Sequence, residues 1–363
     1  MSEKAILVGV RLSREDKQKY ASSFEELHLL AQTAGVTVVE KVLQNRDNPD
    51  NRFFIGKGKV AEILEVIEQV EADMVIFNED LTPSQQKNLE DQLQVQVIDR
   101  VGLILDIFAK RANTQEAHLQ VELAQYEYIL PRLTRMWLHL SRQDGFIGTR
   151  GPGETQLEVD RRRISARIKM LKRKTSEVRK HHQLLREGRK KKGAKMVALV
   201  GYTNAGKSTL LNTLTNGQVY VENKLFATLD PTVRQLYLPG VRNVVLSDTV
   251  GFIQRLPHQL VDAFKATLDE VVTADLLLHV VDATAENVEQ QIKAVFLVLE
   301  EIGAINKPML LVFNKADKLN TEQKANIQKL AEQMDSSCTM ISALRSQGTD
   351  VLLSNIEDSL LKQ

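Results

Sequence analysis

The sequence predicts an α/β protein in three parts. They are a small N-terminal parallel α/β domain over 1–100, a basic antiparallel helical hairpin over 101–193, and a C-terminal P-loop domain over 194–363. Three observations predict it. Short apolar runs alternate with helical patterns through residue 99. Apolar residues in the middle recur at heptad spacing. Finally, the apolar run Met196–Val200 leads into Gly201-Tyr-Thr-Asn-Ala-Gly-Lys-Ser208 and then a helical pattern over Thr209–Leu214, which is the strand, turn and helix that cradle phosphate.

In the first part, Ala5–Val10, Thr37–Leu43, Met74–Phe77 and Val95–Ile98 read as strands, and Phe24–Thr33, Gly58–Val70 and Thr82–Leu93 as helices. Gly56-Lys-Gly-Lys59 lacks P-loop spacing and reads as a turn with solvated or RNA-facing lysines. His28 lies in an apolar helical pattern and is expected to pack rather than catalyse.

The middle part carries two apolar seams. Leu119, Leu123, Tyr126, Leu130, Leu133, Trp137 and Leu140 recur at 4-3-4-3-4-3 spacing, with a kink expected at Pro131. Leu157, Ile164, Leu171, Val178 and Leu185 recur every seven residues, joined by Ile168. Two seams with Gly145, Gly148, Gly151 and Gly153 between them predict a hairpin whose tip is residues 141–154. From Arg161 to Lys195 there are 16 Lys/Arg and 2 Asp/Glu, a net of +14 in a chain whose total is +1. The other residues therefore carry −13. Such asymmetry points to a polyanion met by one face. Arg142, Arg150 and the run Arg161, Arg162 and Arg163 are candidate RNA contacts. Phe146 has two readings, stacking on an exposed base or packing back on the hairpin. A homodimerising coiled coil is the alternative for the whole stem, and salt separates the two, because RNA binding weakens steeply with salt.

In the third part, Gly201 and Gly206 permit backbone angles that a side chain forbids. The amides of Gly201, Tyr202, Thr203, Asn204, Ala205, Gly206, Lys207, Ser208 and Thr209 can surround phosphate oxygens, helped by the positive end of the following helix. Lys207 can reach the β- and γ-phosphates, and the Ser208 hydroxyl can ligate Mg²⁺. Asn314-Lys315-Ala316-Asp317 ends a second apolar run, Pro308–Phe313. The Asp317 carboxylate can accept from the ring N–H and exocyclic amine of guanine, a donor pair that adenine lacks. Ser342-Ala343-Leu344 then offers a backbone N–H to guanine O6, and Asn314 and Lys315 brace the loops.

Between these lie two switch-like strings. Asp248-Thr249-Val250-Gly251 ends a strand, so that Asp248 can hold Mg²⁺ through water and the Gly251 N–H can bind the γ-phosphate. Phe226-Ala227-Thr228-Leu229-Asp230 offers Thr228 as a Mg²⁺ and γ-phosphate ligand, with Thr232 as its alternative. The ordered set makes the third part a P-loop GTPase domain that turns GTP into GDP and phosphate, with Lys207, Thr228 and Gly251 as its catalytic groups. The position after Asp-x-x-Gly, where many such enzymes carry a water-orienting Gln, is Phe252, followed by Ile253. Slow intrinsic turnover is expected, completed by a partner or an ion. Asn204 is either a loop stabiliser or a ligand of K⁺.

The set resembles the HflX family of ribosome-associated GTPases, in the Obg-like branch. The resemblance spans nearly the whole chain. It rests on Phe226–Thr232, on Asp248–Ile253, and on Gly148-Thr-Arg-Gly-Pro-Gly-Glu-Thr-Gln-Leu157 ahead of Arg161–Ile164. Phe54–Lys59 and Phe77–Gln86 match it too. It implies binding to the large ribosomal subunit and its rRNA, with the tip near the peptidyl-transferase region, and rescue or splitting of stalled ribosomes under stress. A ribosome-assembly GTPase and an RNA-binding scaffold with structural nucleotide are the alternatives.

Composition fits. At 43% apolar and 26% charged the chain reads as soluble and globular. The single Cys338 excludes an intramolecular disulfide and suits a reducing cytosol, where it is expected to be a buried thiol. Charges in residues 1–20 argue against a signal peptide. No run reaches the roughly 20 apolar residues of a membrane span. A cytoplasmic monomer without membrane insertion is expected.

Overall fold

The computed structural model describes residues 3–136, 152–191, 193–215, 225–226, 232–253, 265–333 and 338–362. It divides into two compact units. One comprises Met1–Lys110 with His118–Thr175, the other Arg111–Ala117 with Ser176–Gln363.

The first unit is built on a parallel four-stranded sheet in the order β2-β1-β3-β4, with β1 at Lys4–Leu12, β2 at Thr37–Arg46, β3 at Met74–Phe77 and β4 at Gln96–Ile98. The two inner strands read as near-continuous apolar runs because helices cover both faces of such a sheet. Helices Lys17–Ala34, Lys57–Val70 and Pro83–Leu93 connect the strands. The first begins earlier than its apolar pattern suggests. Asp16 caps it by accepting the Lys19 N–H at 2.9 Å, and Gly35 ends it with φ of 86°. Thr82 and Gln85 close a capping box on the third helix, whose first residue is Pro83. Gly56-Lys-Gly-Lys59 is the start of the second helix. Gly56 donates its N–H to Gln44 Oε1, and Lys59 pairs with Glu62 at 2.6 Å. His28 is half-buried and lies 3.0 Å from Gln32 Nε2.

A further helix, Arg100–Arg111, buries Val101, Leu103, Ile104, Leu105, Ile107 and Phe108. Its first residue is fully buried, and its guanidinium meets the Glu26 carboxylate, the Asn78 amide oxygen at 2.9 Å and the Ser23 carbonyl at 3.2 Å. The sequence pattern alone runs this helix into the arm.

Helices Gln115–Met136 and Pro152–Lys191 form the stem, the first continuing through Pro131. Within the first unit, Leu119, Leu123, Tyr126 and Leu130 pack with Ile164, Ile168 and Leu171, so both seams meet there. Arg167 Nε to Glu122 Oε1 at 2.7 Å and Lys172 Nζ to Glu127 Oε1 at 2.8 Å flank the apolar contact. Further along, Val178 is half-buried and Leu185 exposed, so the seven-residue repeat outlasts its apolar cover. Trp137, Leu140 and most of the tip, including Arg142, Phe146 and Arg150, lie outside the described residues.

The second unit carries a six-stranded sheet in the order β10-β9-β8-β5-β7-β6. β5 is Lys195–Gly201, β7 Val244–Asp248, β8 Leu276–Asp282, β9 Met309–Asn314 and β10 Cys338–Met340, and these five strands are parallel to one another. β6, Thr232–Leu236, is an antiparallel edge strand on β7. Its short mixed pattern falls beside the first switch string and carries no strand signal of its own. Helices Lys207–Thr215, Lys265–Thr273, Val288–Glu301, Thr321–Gln333 and Thr349–Leu361 complete the unit. Alternate residues of β8 go to opposite sides: Leu276, Leu278 and Val280 to one apolar cluster, Leu277 to another with Val200, Phe252, Leu268 and Val271. Cys338 is half-buried, and burial pushes its thiol up.

Candidate nucleotide site

The site lies at the carboxyl end of β5, where parallel α/β sheets present their ligand crevice. Gly201 ends that strand with φ of 151°, and a Cβ there would collide with the Val280 carbonyl of β8. Gly206 opens the following helix with φ of 92°, and a Cβ there would collide with the Asn314 amide. Glycine is thus required at both ends of the loop, and for steric reasons rather than flexibility. Asn204 holds φ of 61° between them, and Ala205 is fully buried.

Lys207 is buried inside the loop it closes. Its ammonium donates to the carbonyls of Gly201 at 3.0 Å and Tyr202 at 2.9 Å. Burial pushes its pKa down to about 8, and the Asp248 carboxylate opposes that shift. One residue on, the Ser208 hydroxyl donates to Asp248 Oδ2 at 2.6 Å. Asp248 is wholly buried at the end of β7, so a hydroxyl and a carboxylate of hard oxygens converge there. That donor set suits a Mg²⁺ that also keeps waters and phosphate oxygens. Thr249 anchors the next step by donating its hydroxyl to the Leu199 carbonyl at 2.6 Å. Val250 is buried, and Gly251 faces the P-loop: a Cβ on it would sit 2.9 Å from Thr203 Cα and 3.0 Å from Lys207 Nζ.

Asn314 ties the loop before Lys207 to the loop of Ser342 and Ala343. Its amide donates to the Ala205 carbonyl at 2.9 Å, and its oxygen accepts the Ala343 N–H at 2.9 Å. Lys315, held at φ of 64°, pairs with Asp282 at 2.6 Å, so Asp282 at the end of β8 braces this loop. Ala316 donates its N–H to the Ile341 carbonyl. The Ser342 hydroxyl foremost, then Asp317's own backbone N–H, then Arg345 and Lys318, hold the Asp317 carboxyl below the usual range against the opposing effect of burial. Leu344 is exposed beside Ser342 and Ala343, which are buried.

Of the first switch string, only Phe226 is described. It is buried with φ of 55°, while Ala227, Thr228, Leu229 and Asp230 lie outside the described residues. Thr232 opens β6 opposite Asp248. On the stem, Arg161, Arg162 and Arg163 are exposed. Sequence reasoning missed His279, a buried ring of β8 set edge-on to Phe296 at 5.7 Å. Burial, with Lys207 adding to it, pushes its pKa down to about 3, so it stays neutral beneath the loop. Its only sequence signal is a polar residue in the apolar run Leu276–Val281.

Known protein families match all three parts of the chain. Residues 21–109 match the family model "GTP-binding GTPase N-terminal", residues 111–189 "GTP-binding GTPase Middle Region", and residues 196–315 "50S ribosome-binding GTPase". GTPase HflX of Caldanaerobacter subterraneus is 51% identical over 361 residues, covering 99% of this chain and 81% of that protein. GTPase HflX of Escherichia coli is 49% identical over 317 residues, covering 87% of this chain and 74% of that one. The crystal structure of the SsGBP and GDP complex is 27% identical, covers 99% of this chain and 98% of the other, and superposes with a TM-score of 0.51. From N-terminal unit to guanine loop, this chain belongs to the HflX family of GTPases, enzymes that bind and hydrolyse GTP.

Proposed function

We propose that this GTPase works on the large ribosomal subunit, where it rescues or splits stalled ribosomes. The observation that carries this reading is the stem. A helix bearing most of the net +14 stretch is joined in the same chain to a switch-type GTPase. The solvated faces of that helix, including Arg161, Arg162 and Arg163, suit rRNA phosphates, and Arg142, Phe146 and Arg150 of the tip would contact bases or backbone in a narrow cavity. The family model over residues 196–315, described as a 50S ribosome-binding GTPase, supports the same partner.

At the nucleotide site, Asp317 selects guanine and the P-loop amides with Lys207 hold the phosphates. Ser208, Thr228 and Asp248 hold Mg²⁺, the last through water, and Gly251 reports the γ-phosphate. Bound Mg²⁺ supplies charge neutralisation to the phosphate oxygens. Asn204 helps hold K⁺, which adds charge where an arginine finger acts in other GTPases. The protein acts as a cytoplasmic monomer; no described helix is long and apolar enough to cross a membrane. GTP tightens the ribosomal complex and hydrolysis releases it.

Purified large subunits test this. Binding in the GTP form should exceed binding in the GDP form, and turnover in K⁺ should exceed turnover in Na⁺. Equal subunit binding in both nucleotide states would sink the cycle, and equal turnover in K⁺ and Na⁺ would remove the ion from it. Association confined to immature particles would move the role to assembly.

A further inference from the structure

Phe252, the residue after Asp-x-x-Gly, is held on two sides. Its backbone is strapped to the P-loop: the Phe252 N–H donates to the Gly201 carbonyl at 3.1 Å, and the Phe252 carbonyl accepts the Thr203 N–H at 2.8 Å. Its ring is buried in an apolar cluster with Val200, Leu268 and Val271. Leu268 and Val271 belong to the helix Lys265–Thr273. That helix therefore helps set where Phe252 lies, and with it the Gly251 amide one residue earlier. A Cβ at Gly251 would come within 2.9 Å of Thr203 Cα and 3.0 Å of Lys207 Nζ, so the second switch string sits close against the P-loop here.

A nine-residue helix does not hold by propensity, since isolated helices shorter than about 12–15 residues are marginal in water. Leu268 and Val271 fix it by packing. Asp269, the residue between them that follows Leu268, adds a directional clamp. Arg179 Nε donates to Asp269 Oδ2 at 2.8 Å, and Arg179 Nη2 donates to Asp269 Oδ1 at 2.9 Å. Two parallel N–H···O bonds from a planar fork fix orientation as well as distance. The Asp269 side chain is 15% exposed, which shields the pair better than an open surface pair. Arg179 lies on the stem helix Pro152–Lys191, in the part from Ser176 onward that belongs to the same compact unit as the nucleotide site. In a stretch of 16 Lys/Arg and 2 Asp/Glu, this arginine turns to a carboxylate beside the second switch.

We infer that Arg179 is a positioning residue for GTP hydrolysis. By clamping Asp269 it fixes the helix Lys265–Thr273, through Leu268 and Val271 it fixes the Phe252 ring, and through Phe252 it fixes the Gly251 amide where the γ-phosphate binds. This rests on the proposed placing of the γ-phosphate at Gly251. The stem helix thereby bears on the second switch through one guanidinium.

The test compares Arg179→Met, which keeps an aliphatic side chain and removes the fork, with Arg179→Lys, which keeps the charge and loses the bidentate pairing. Single-turnover hydrolysis at saturating GTP, the affinities for fluorescent GDP and GMPPNP, and thermal unfolding are measured on the full chain. Arg179→Met should lose about five- to tenfold in turnover and a similar factor in GMPPNP affinity, with GDP affinity unchanged, because only the γ-phosphate depends on Gly251. Arg179→Lys should recover part of both. The unfolding midpoint should barely move, since the Arg179 side chain is 47% exposed. Adding Arg179→Met to Asp269→Asn should cost little more than Asp269→Asn alone, since the pair is already broken. Native turnover in Arg179→Met, or a cost as large in the Asp269→Asn background as in the native one, would overturn the inference. So would equal losses of GDP and GMPPNP affinity with a fallen midpoint, which would make Arg179 a residue of the fold alone. Gly251→Ala separates this from the underlying reading. If it keeps the native preference for GMPPNP over GDP, the γ-phosphate lies elsewhere and both readings fall. If it loses that preference while Arg179→Met keeps it, only the inference about Arg179 falls.

Discussion

Lys207 shows what burial does to a lysine of the candidate phosphate loop. Its ammonium sits in the protein interior with two carbonyls and a nearby carboxylate, and desolvation still lowers its pKa to about 8. A lysine whose folded pKa falls below its unfolded value adds stability that is present above the unfolded value and lost as pH falls through about 8. Bound phosphate reverses this, because it favours the charged form. GDP affinity should therefore fall as pH rises beyond 8, by up to about tenfold per unit. Titrating GDP between pH 7 and 10 checks it, and a flat profile would mean that Lys207 keeps an ordinary pKa. Asp317 makes a second residue-scale prediction. Replacing its carboxylate by an amide puts a donor opposite the guanine donors, so Asp317→Asn should weaken GTP binding by about 1–3 kcal/mol and improve that of xanthosine nucleotides, read by competition. Most of the candidate site was legible in the sequence because the strings proposed to meet phosphate and guanine are short and fixed to strand ends. Asn314 is an instance, its two hydrogen bonds joining Ala205 to Ala343 across the site. The buried His279 ring was not legible, because only the fold sets it edge-on to Phe296.

At the scale of elements, period alone overstated the stem. Leu171 and Leu185 share a heptad phase, yet Leu171 is 0% exposed and Leu185 is 52% exposed. Leu171→Ala should cost about 2–5 kcal/mol, whereas Leu185→Ala should stay within about 0.5 kcal/mol, both by urea unfolding. Comparable losses would mean that the two ends of the helix are equally packed. The sequence shows a repeat, but not where a partner covers it. Glu26 illustrates the same limit. Its charge lies in an apolar helical pattern, and only the fold brings it to Arg100. Glu26→Ala should cost about 3–5 kcal/mol, because it strands a buried guanidinium. Strand β6 escaped detection because an edge strand of alternating exposed and half-buried residues needs little apolar pattern. The helix of residues 17–34 began early because Asp16, a cap rather than an apolar residue, sets its start.

At the scale of the whole molecule, charge is divided rather than balanced. A stretch of net +14 lies in a chain of net +1, so association with a polyanion should be steep in salt while folding of the acidic remainder is not. Substituting Arg161, Arg162 and Arg163 together by alanine should weaken large-subunit binding and reduce its salt slope by about 0.7–0.9 for each phosphate no longer neutralised, with GDP affinity unchanged. The three-part organisation was legible because each part uses a different period: alternating strand and helix, heptads, then strand-anchored motifs. The role proposed for the arm was legible only as charge, since RNA recognition by shape leaves no fixed string. The account depends most on the link between that arm and hydrolysis. GTP turnover in K⁺ buffer, with and without purified large ribosomal subunits, tests it directly. Strong stimulation by the subunit, abolished in the Arg161–Arg163 triple variant, is the predicted result. Turnover that stays slow with subunits bound would contradict it.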